Sequence, residues 1–411
     1  MAQLNITLNQ DEVLQLLADN SGNAFRVLLQ NTLNSVLKAE SAEQLHVQPY
    51  ERSEKRTDSR NGTRTRALTT RIGTIDLVVP RHRNVPFKTL VFENYKRSEA
   101  ALITTMAEMV VAGVSTAKVS RVMEEICGKS FSKQTVSQAC QELDIAVDEF
   151  QTRPLDKIYP FVMADATYIK VRQNHRVQAC ALLVAIGLDS YGKKEIIGFD
   201  VAESETYESW KEFFLTLQNR NLYGTKMITS DAHEGLVHAA QDIFPNIPWQ
   251  RCQAHFSRNI ADAAPKKFRV GLRSELTEMF NCKSIEDARN RRDEIIADYK
   301  ECAPKAIERL DAGFDDAMTV MELPEKLRQC TRTSNILERL NKEIKRRSNV
   351  IGVFPNTASL RRLIGAVLME ENERWAAKHR MYFTSSYEQL ADAEPKLIEV
   401  AKLQRKLRVV A

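Results

Sequence analysis

The 411-residue sequence predicts a mixed α/β protein with a strand-rich centre between helical regions. Apolar, β-rich runs separated by turn residues occupy residues 157–251, whereas apolar positions at helical spacing dominate both flanks. Hydrophobic residues make up 43% and charged residues 27% of the chain, so a large core can form and wholesale disorder is excluded. The length suggests about two to four domains.

Composition and local patterns also indicate where the protein resides. No apolar run approaches the ~18 residues that a membrane span needs. The first residues lack the basic and apolar regions of an export signal. The seven cysteines are odd in number and scattered, unlike a disulfide framework. We therefore expect a cytoplasmic protein with reduced thiols and no membrane partner.

The segment before the strand-rich centre predicts helices and one hairpin. Residues 11–38 carry apolar side chains at helical spacing. Two short strands, 65–70 and 74–79, follow a polar and basic stretch, with a turn around Gly73 and a stop at Pro80. This pattern indicates a helical N-terminal region followed by a basic β-hairpin.

Residues 115–147 predict two helices separated by a turn at Gly128, which is the helix-turn-helix plan. The second helix is capped by Ser132 and is expected to run to Val147, with one apolar and one polar face. Amide and hydroxyl side chains on its polar face suit base edges in a major groove. These candidate DNA contacts are Gln134, Ser137, Gln138 and Gln141. A structural helix pair with a solvated face explains the same spacing, and the spacing alone slightly favours it.

The strand-rich centre predicts three strands joined by hairpins and then alternating helices and strands. This order, β-β-β-α-β-α-β, is that of a ribonuclease-H-like mixed sheet. Residues 255–330 show only helical signals, and another helix begins near Asn335. We therefore predict a ribonuclease-H-like catalytic core interrupted by an all-α insertion and preceded by a helical DNA-binding region.

Three acidic residues stand out by their placement. Asp165 lies within an apolar strand, where a charge is costly unless it is paired or binds a metal. Asp231 ends the fourth strand, and Glu338 lies near the start of the helix after the insertion. If the fold brings them together, three carboxylates suit two Mg²⁺ ions for phosphodiester displacement. Asp231 with Glu234, and Asn335 with Glu338, also fit capping boxes, so each of these two acids alone is explained as well by structure.

A Cys-x-x-His motif, Cys252 and His255, follows the fifth strand. Its spacing suits half of a zinc site. No second pair has convincing spacing, although His233 and His238 are conceivable partners. A buried thiol and a hydrogen-bonded histidine that support the site are the favoured interpretation.

Basic residues are concentrated in two segments, although the net charge is only +5. Residues 46–90 and residues 339–362 each carry a net charge of +6, which leaves −7 for the remainder. Two basic patches on an acidic body suit a polyanion, and a solvated surface is the alternative. The candidate backbone contacts are Arg60, Arg64, Arg66, Arg339, Lys342, Lys345, Arg346 and Arg347.

Several sequence blocks resemble the Mutator-type DDE transposases of bacterial insertion sequences. The blocks cover nearly the whole chain in the expected order, and one departure is Ser334, where the family often has Thr. The matching segments are residues 60–62, 165–172, 208–210, 230–259 and 332–347. The resemblance implies that Asp165, Asp231 and Glu338 form the catalytic triad, and that Cys252 and His255 support it.

The resemblance also implies the reaction and the partners. Family members bind terminal inverted repeats, cleave 3′ ends by hydrolysis and use the freed 3′-OH to attack target DNA. Two Mg²⁺ ions are expected, with Mn²⁺ as a substitute. Double-stranded DNA is the expected partner of a homodimer or higher oligomer in a bacterial, nucleoid-associated setting. A nuclease that cuts without joining and a non-catalytic helix-turn-helix regulator are the alternatives.

These interpretations give a layout of seven segments. In order they are an N-terminal helical region, a basic hairpin region, a helix-turn-helix, the first part of the core, the helical insertion, the final core helices with Glu338, and a C-terminal helix. Their expected bounds are 1–45, 46–95, 96–155, 156–254, 255–330, 331–380 and 381–411.

Overall fold

The computed structural model describes most of the chain between residues 23 and 410. The described residues are 23–49, 51, 53, 56–70, 73–89, 100–127, 131–378, 381–383 and 387–410. The chain forms two compact units, Met1–Glu142 and Leu143–Ala411. Each unit has its own elements and its own apolar core.

In the first unit, a long helix covers one face of a two-stranded hairpin. Helix α1 spans Asn23–Leu45, and the antiparallel strands β1 and β2 span Arg60–Thr70 and Gly73–His82. The apolar side chains between helix and hairpin are Leu29, Leu33, Leu37, Leu68, Ile75, Leu77, Val79 and Phe87. The predicted hairpin is therefore present. The helical pattern before residue 23 and turn residues 71–72 lie outside the described residues.

Three further helices share a second apolar core in this unit. Helix α2 spans Ala100–Val111, α3 spans Thr116–Cys127 and α4 spans Lys133–Ala139. The hydroxyl of Ser132 accepts a hydrogen bond from the backbone N–H of Thr135 at 3.0 Å, so the predicted cap of α4 is confirmed. Gly128, the predicted helix breaker, lies outside the described residues.

Helix α4 is shorter than its apolar pattern suggests. It ends at Ala139, and a turn of 3₁₀-helix spans Cys140–Glu142. Val147, expected on the same helix, lies on the next one, α5, which spans Leu143–Thr152. There Val147 is buried so close to Gly365 that a side chain at position 365 would collide with it. Helix α5 therefore belongs to the second unit, and the division between units precedes α5 instead of following it.

A five-stranded mixed sheet forms the centre of the second unit, in the order β5-β4-β3-β6-β7. Strands β3, β4 and β5 are antiparallel neighbours, whereas β6 runs parallel to β3 and β7 runs parallel to β6. The strands span Phe161–Gln173, Arg176–Leu188, Lys194–Ala202, Met227–Ser230 and Trp249–Arg251. Helices α6 (Tyr207–Asn219) and α7 (Glu234–Ile243) connect the last three strands, which is the predicted order of elements.

Aromatic side chains hold α6 against one face of this sheet. Trp210 is fully buried, and its ring centroid lies 5.5 Å from that of Phe214 and 5.7 Å from that of Phe213. The cluster continues into the sheet through Val162 and Leu183. Burial on this scale fixes α6 to the strands that carry the candidate acids.

An all-helical segment separates β7 from the last helices, as the sequence predicts. Helices α8 to α12 span Gln253–Ala263, Arg269–Phe280, Ile285–Tyr299, Pro304–Met318 and Glu325–Thr331. Three final helices follow, α13 (Asn335–Ile351), α14 (Thr357–Ala377) and α15 (Tyr387–Val410). Helix α13 begins at the predicted residue, whereas α15 continues through Pro395, where the sequence suggested a break or a start. Among the helices described, none is long and apolar enough to cross a membrane.

Candidate active site

Asp165 lies on β3, and Asp231 directly follows β6, the neighbouring parallel strand. Strand β3 pairs with β6 up to Met163 opposite Thr229. Two residues further in the same register, Asp165 of β3 is level with Asp231, which directly follows β6. The structure thus brings together two acids that are far apart in sequence, at the end of a central strand where open sheets place ligands.

The Asp165 carboxylate is held in a partly buried position. Its Oδ2 accepts a hydrogen bond from Asn341 Nδ2 at 2.9 Å, and its Oδ1 accepts one from the backbone N–H of Ala166 at 3.0 Å. Burial and the negative charge of Asp231 raise the pKa of Asp165 to about 7, against the lowering effect of His255. An ionised Asp165 is therefore costly unless a cation lies nearby.

Asp231 occupies a corner that the surrounding side chains fix. Its Oδ1 accepts from the backbone N–H of His233 at 3.2 Å. Its carbonyl oxygen accepts from the Ser230 hydroxyl at 2.7 Å, and Ser230 in turn accepts from the Trp249 indole at 2.8 Å. The N-cap of α7 is His233, whose side chain makes no capping bond. The capping box with Glu234 is therefore absent and does not account for Asp231.

Glu338 lies in the first turn of α13 and faces two basic side chains. Its Oε1 is 3.1 Å from Arg258 Nη2 and 3.4 Å from His255 Nε2. The N-cap of α13 is Ser334, and it makes no side-chain capping bond. The alternative box between Asn335 and Glu338 is thus not formed, because Asn335 is already the first helical residue. Ion pairing, not capping, accounts for this carboxylate.

Cys252 and His255 connect the start of α8 to the start of α13. The Cys252 sulfur accepts from the backbone N–H of Ser334 at 3.3 Å and from its hydroxyl at 3.2 Å. Hydrogen bonding to Cys252 raises the pKa of His255 to about 9 against the effect of burial, and the charges of Asp165 and Asp231 add to the rise. Burial raises the pKa of Cys252, but hydrogen bonding to His255 and its positive charge lower it by more. Both shifts in pKa favour the protonated form of His255.

His255 is linked to all three candidate acids, to one by contact and to two by charge. His255 contacts Glu338 directly, and the charges of Asp165 and Asp231 act on it. Among the residues that the structure describes, no group of three or more His, Cys, Asp or Glu side chains is arranged to hold a metal ion. This holds for the three acids as well as for Cys252 and His255.

Two side chains at this site have no counterpart in the sequence predictions. Glu205, only 8% exposed, accepts from the Tyr168 hydroxyl and the Trp210 indole, each at 3.1 Å. It also lies 3.4 Å from His233 Nδ1. Glu205 is in a loop without a motif, so only the fold reveals it. Asn341 lies three residues after Glu338 and so on the same helical face, a spacing that could have revealed it.

The predicted DNA-contact residues of the first unit differ in exposure and in whether they already bind other groups of the protein. The polar side chains of α4 are exposed, as expected, at Gln134, Ser137 and Gln138, and so is Gln141 in the 3₁₀ turn that follows. Arg64 is exposed and Arg66 is half-buried. Arg60 instead donates to the carbonyl oxygens of Val47 at 2.8 Å and Gln48 at 3.2 Å. Its guanidinium thus holds the chain after α1, and its contact with DNA stays a prediction.

The predicted DNA contacts on α13 also differ: three are exposed, whereas acidic side chains bind the other two. Arg339, Lys342 and Lys345 are exposed. Arg346 is bound to Glu343, with an N–O distance of 2.6 Å. Arg347 is only 7% exposed and pairs with Glu343 at 2.8 Å and with Glu370 at 3.2 Å. Counting charges along the sequence could not show that acids within the fold engage Arg346 and Arg347.

Comparison with known proteins gives one family across most of the chain. The family model described as "Transposase, Mutator family" matches residues 1–378. A transposase for insertion sequence element IS256 in transposon Tn4001, from Staphylococcus aureus, is 41% identical over 386 residues, which cover 93% of this chain and 99% of the relative.

Two further relatives carry similar descriptions. A transposase for insertion sequence element ISRM5 from Rhizobium meliloti is 36% identical over 355 residues, covering 86% of this chain and 89% of the relative. A transposase for insertion sequence element IS1081 from Mycobacterium tuberculosis is 36% identical over 372 residues, covering 89% of this chain and 90% of the relative. The similarity therefore extends over both compact units.

Proposed function

The chain belongs to the Mutator family of transposases, and on this premise we propose that it is an insertion-sequence transposase that cuts and joins DNA. In this proposal it binds the terminal inverted repeats of its element and cleaves the 3′ ends by hydrolysis. It then uses each freed 3′-OH to attack target DNA. The observation that carries the proposal is the pairing of β3 with β6, which sets Asp165 level with Asp231, together with the bond of Asn341 on α13 to Asp165 and the contact of His255 with Glu338.

We assign the central sheet to the ribonuclease-H-like class. Three antiparallel strands, two further parallel strands and the order β5-β4-β3-β6-β7 support the assignment. The bond from Asn341 of α13 to Asp165 of β3 also supports it, because it brings the helix of the third acid to the strand of the first. The helices between β7 and α13 are then an insertion into this core.

The cofactor in this proposal is Mg²⁺, with two ions held by Asp165, Asp231 and Glu338 and with Mn²⁺ as a substitute. The donor chemistry fits, because carboxylate oxygens are the ligands that Mg²⁺ prefers. The raised pKa of Asp165 fits as well, since a divalent cation would offset the crowding of negative charge. When bound, such ions activate the attacking water or hydroxyl and stabilise the leaving oxygen of a phosphodiester.

The side chains around the acids have positioning tasks in this reaction. Asn341 orients one oxygen of Asp165. Ser230 and the Trp249 indole fix the corner that carries Asp231. Arg258 holds Glu338 at 3.1 Å and offsets its charge. Hydrolysis and strand transfer differ only in the nucleophile, so one such site serves both steps.

The exposed cations of α13 are placed to hold DNA beside the acids. Arg339, Lys342 and Lys345 follow Glu338 on the same helix and are exposed. Backbone contacts of this kind position the duplex and carry no sequence information. Pairing two ends of an element further requires two copies of the protein, so we propose a symmetric dimer or a larger assembly.

Replacing Lys342 and Lys345 together by Ala is expected to weaken DNA binding in a salt-dependent way. Loss of two phosphate contacts should reduce the slope of log K against log salt concentration by about 1.8. Fluorescence anisotropy with a labelled mixed-sequence duplex, at several salt concentrations, measures both quantities. The matched control is Lys300→Ala with Lys305→Ala, two exposed lysines of the helical segment. A loss confined to particular base sequences would contradict backbone contact by α13.

Strand transfer distinguishes a transposase from the two alternative functions. The purified protein is incubated with Mg²⁺, supercoiled plasmid and a pre-cut duplex that carries the element's end. We expect covalently joined products, detectable by gel mobility and by sequencing across the junction. Cleavage of an uncut end without joining would favour a nuclease. Binding without cleavage or joining would favour a regulator.

A further inference from the structure

A basic groove lies beside the hairpin of the first unit. It has a volume of about 570 Å³ and is formed by both strands and by the segment after β2. Its lining residues are Arg64, Thr65, Arg66, Val79, Pro80, Arg81, His82, Pro86, Phe87 and Lys88. This lining contains three arginines and one lysine and, among the residues the structure describes, no Asp or Glu. A concave surface with this charge suits an anionic partner.

The hairpin register explains why cations line a concave face. Arg64 lies opposite Val79 in the antiparallel pair, and Leu68 lies opposite Ile75. Opposite residues and alternate residues of a strand share a face, so Arg64 lies on the face that packs its apolar residues under α1. Arg64 is exposed, so the face is open to a partner at this end.

The wall opposite the strands is held in place by hydrogen bonds. Asp58 is buried and accepts from the backbone N–H groups of Asn84 and Val85, each at 2.9 Å. These bonds, with a third from the backbone N–H of Ser59, hold the pKa of Asp58 at about 2, well below its usual value. The ionised carboxylate thus fixes the chain that leads into the groove through these hydrogen bonds.

The end of this wall is tied to α1. The backbone N–H of Lys88 donates to Gln44 Oε1 at 3.2 Å, and the Gln44 amide donates to the Lys88 carbonyl oxygen. The Phe87 ring meets the His82 ring edge-to-face at 5.4 Å. His82 is also bonded to the Ser41 hydroxyl at 2.9 Å. A wall fixed at both ends gives a preformed groove, which binds without first paying for ordering.

We infer that this groove seats the phosphate backbone of duplex DNA, with Arg64, Arg81 and Lys88 as the contacting cations. The inference rests on the proposed function, because it takes DNA as the partner. Arg81 and Lys88 are exposed, and neither is among the DNA contacts predicted from the sequence. A concave, cation-lined surface suits the phosphate backbone, which a duplex presents on its outside. Binding here is independent of base sequence and positions the duplex on the first unit.

The test is a triple variant of the full-length protein, Arg64→Gln with Arg81→Gln and Lys88→Gln. Binding of a labelled mixed-sequence DNA duplex is measured in EDTA, so that catalytic failure has no influence on the result. Loss of three phosphate contacts should reduce the salt slope by about 2.7 and the affinity by roughly a hundredfold at 0.15 M salt. The single variant Arg81→Gln should reduce the slope by about 0.9 and provides the same test if the triple variant folds poorly.

The matched control removes three exposed cations elsewhere, Arg289→Gln with Lys300→Gln and Lys305→Gln. This control removes the same net charge as the groove variant, but it should reduce the salt dependence of DNA binding far less. Equal slopes for the groove variant and the wild type would overturn the inference, as would equal losses in the groove variant and the control. A loss seen only with a matched RNA duplex would also overturn it. Failure of strand transfer in a protein that binds DNA through the groove would instead count against the proposed function alone.

Discussion

Replacing Asp165 by Asn should abolish Mg²⁺-dependent cleavage of DNA while leaving DNA binding intact. Asn has nearly the same shape and can still accept the bond from Asn341, which donates to Asp165 at 2.9 Å. The charge is lost, and so is one of the two acceptor oxygens, because the Asn side chain has one oxygen and one amide nitrogen. We expect the cleavage rate to fall by about a thousandfold or more, the order found when one catalytic group is removed. Asp231→Asn and Glu338→Gln should have effects of similar size. Single-turnover cleavage of a labelled duplex end measures each rate.

A suitable control lies at the same corner of the sheet. Glu234 is exposed and follows Asp231 by three residues, but it forms no capping box with it. Glu234→Gln should leave the cleavage rate within a few-fold of the wild-type rate, although it removes the same charge from the same region. Normal cleavage by all three acid variants would eliminate the triad. Equal loss of activity in Glu234→Gln would show that net charge, not position, matters.

The Asp165→Asn variant should also be at least as stable as the wild type without metal. The pKa of Asp165 is raised to about 7 in the folded state by burial and by the charge of Asp231. A raised carboxyl pKa means that folding favours the protonated form, so the ionised group opposes folding as the pH rises. The stability advantage of Asn should be greatest above about pH 7 and vanish below about pH 4, the unfolded pKa. Thermal melts in EDTA at several pH values show whether loss of activity reflects misfolding.

Replacing Trp210 by Ala should destabilise the second unit by about 3–5 kcal/mol, the range for removal of a buried aromatic ring. Trp210 is fully buried against Phe213 and Phe214, so its removal leaves a large cavity. Its indole N–H also donates to Glu205, which is 8% exposed and would lose that donor. Chemical denaturation of the full-length protein, followed by circular dichroism, measures the free energy of unfolding.

Two further variants separate the causes of this loss. Trp210→Phe keeps most of the ring but removes the N–H, so it should cost about 1–3 kcal/mol, the penalty for an unmet buried partner. Tyr191 is 72% exposed, and Tyr191→Ala should change stability by less than about 0.5 kcal/mol. A loss below about 1 kcal/mol in Trp210→Ala would contradict the structural importance of the aromatic cluster.

The order of strands and helices in the second unit could be predicted because its apolar runs are long and punctuated by clear turns. Asp165 was recognisable for the same reason, since a charge within the apolar β3 strand conflicts with its surroundings. The division between α4 and α5 could not be predicted. Val147 continues the spacing of α4, but it packs beside Gly365 in the other unit, and local periodicity carries no information about such a partner.

The functional side chains show a similar limit. Sequence spacing identified Cys252 and His255 but not Arg258, which pairs with Glu338, because that contact joins two helices far apart in the chain. Charge counting treated Arg347 as a surface cation, although Glu343 and Glu370 bind it in a buried position. Residue types thus indicated the chemistry, whereas the partners of each charge depended on tertiary structure.

The bond between Cys252 and Ser334 has a consequence for how the molecule can vary. The two residues are 82 positions apart, yet sulfur and hydroxyl are 3.2 Å apart. Beside them the backbone N–H of Gln253 donates to the carbonyl oxygen of Arg332 at 3.0 Å. The segment that contains helices α8 to α12 therefore begins and ends at neighbouring points of the fold. Because the entropic cost of closing a loop grows slowly with its length, this segment can change in length at little cost in chain entropy. Helix α8 must be kept, since His255 and Arg258 on it contact Glu338.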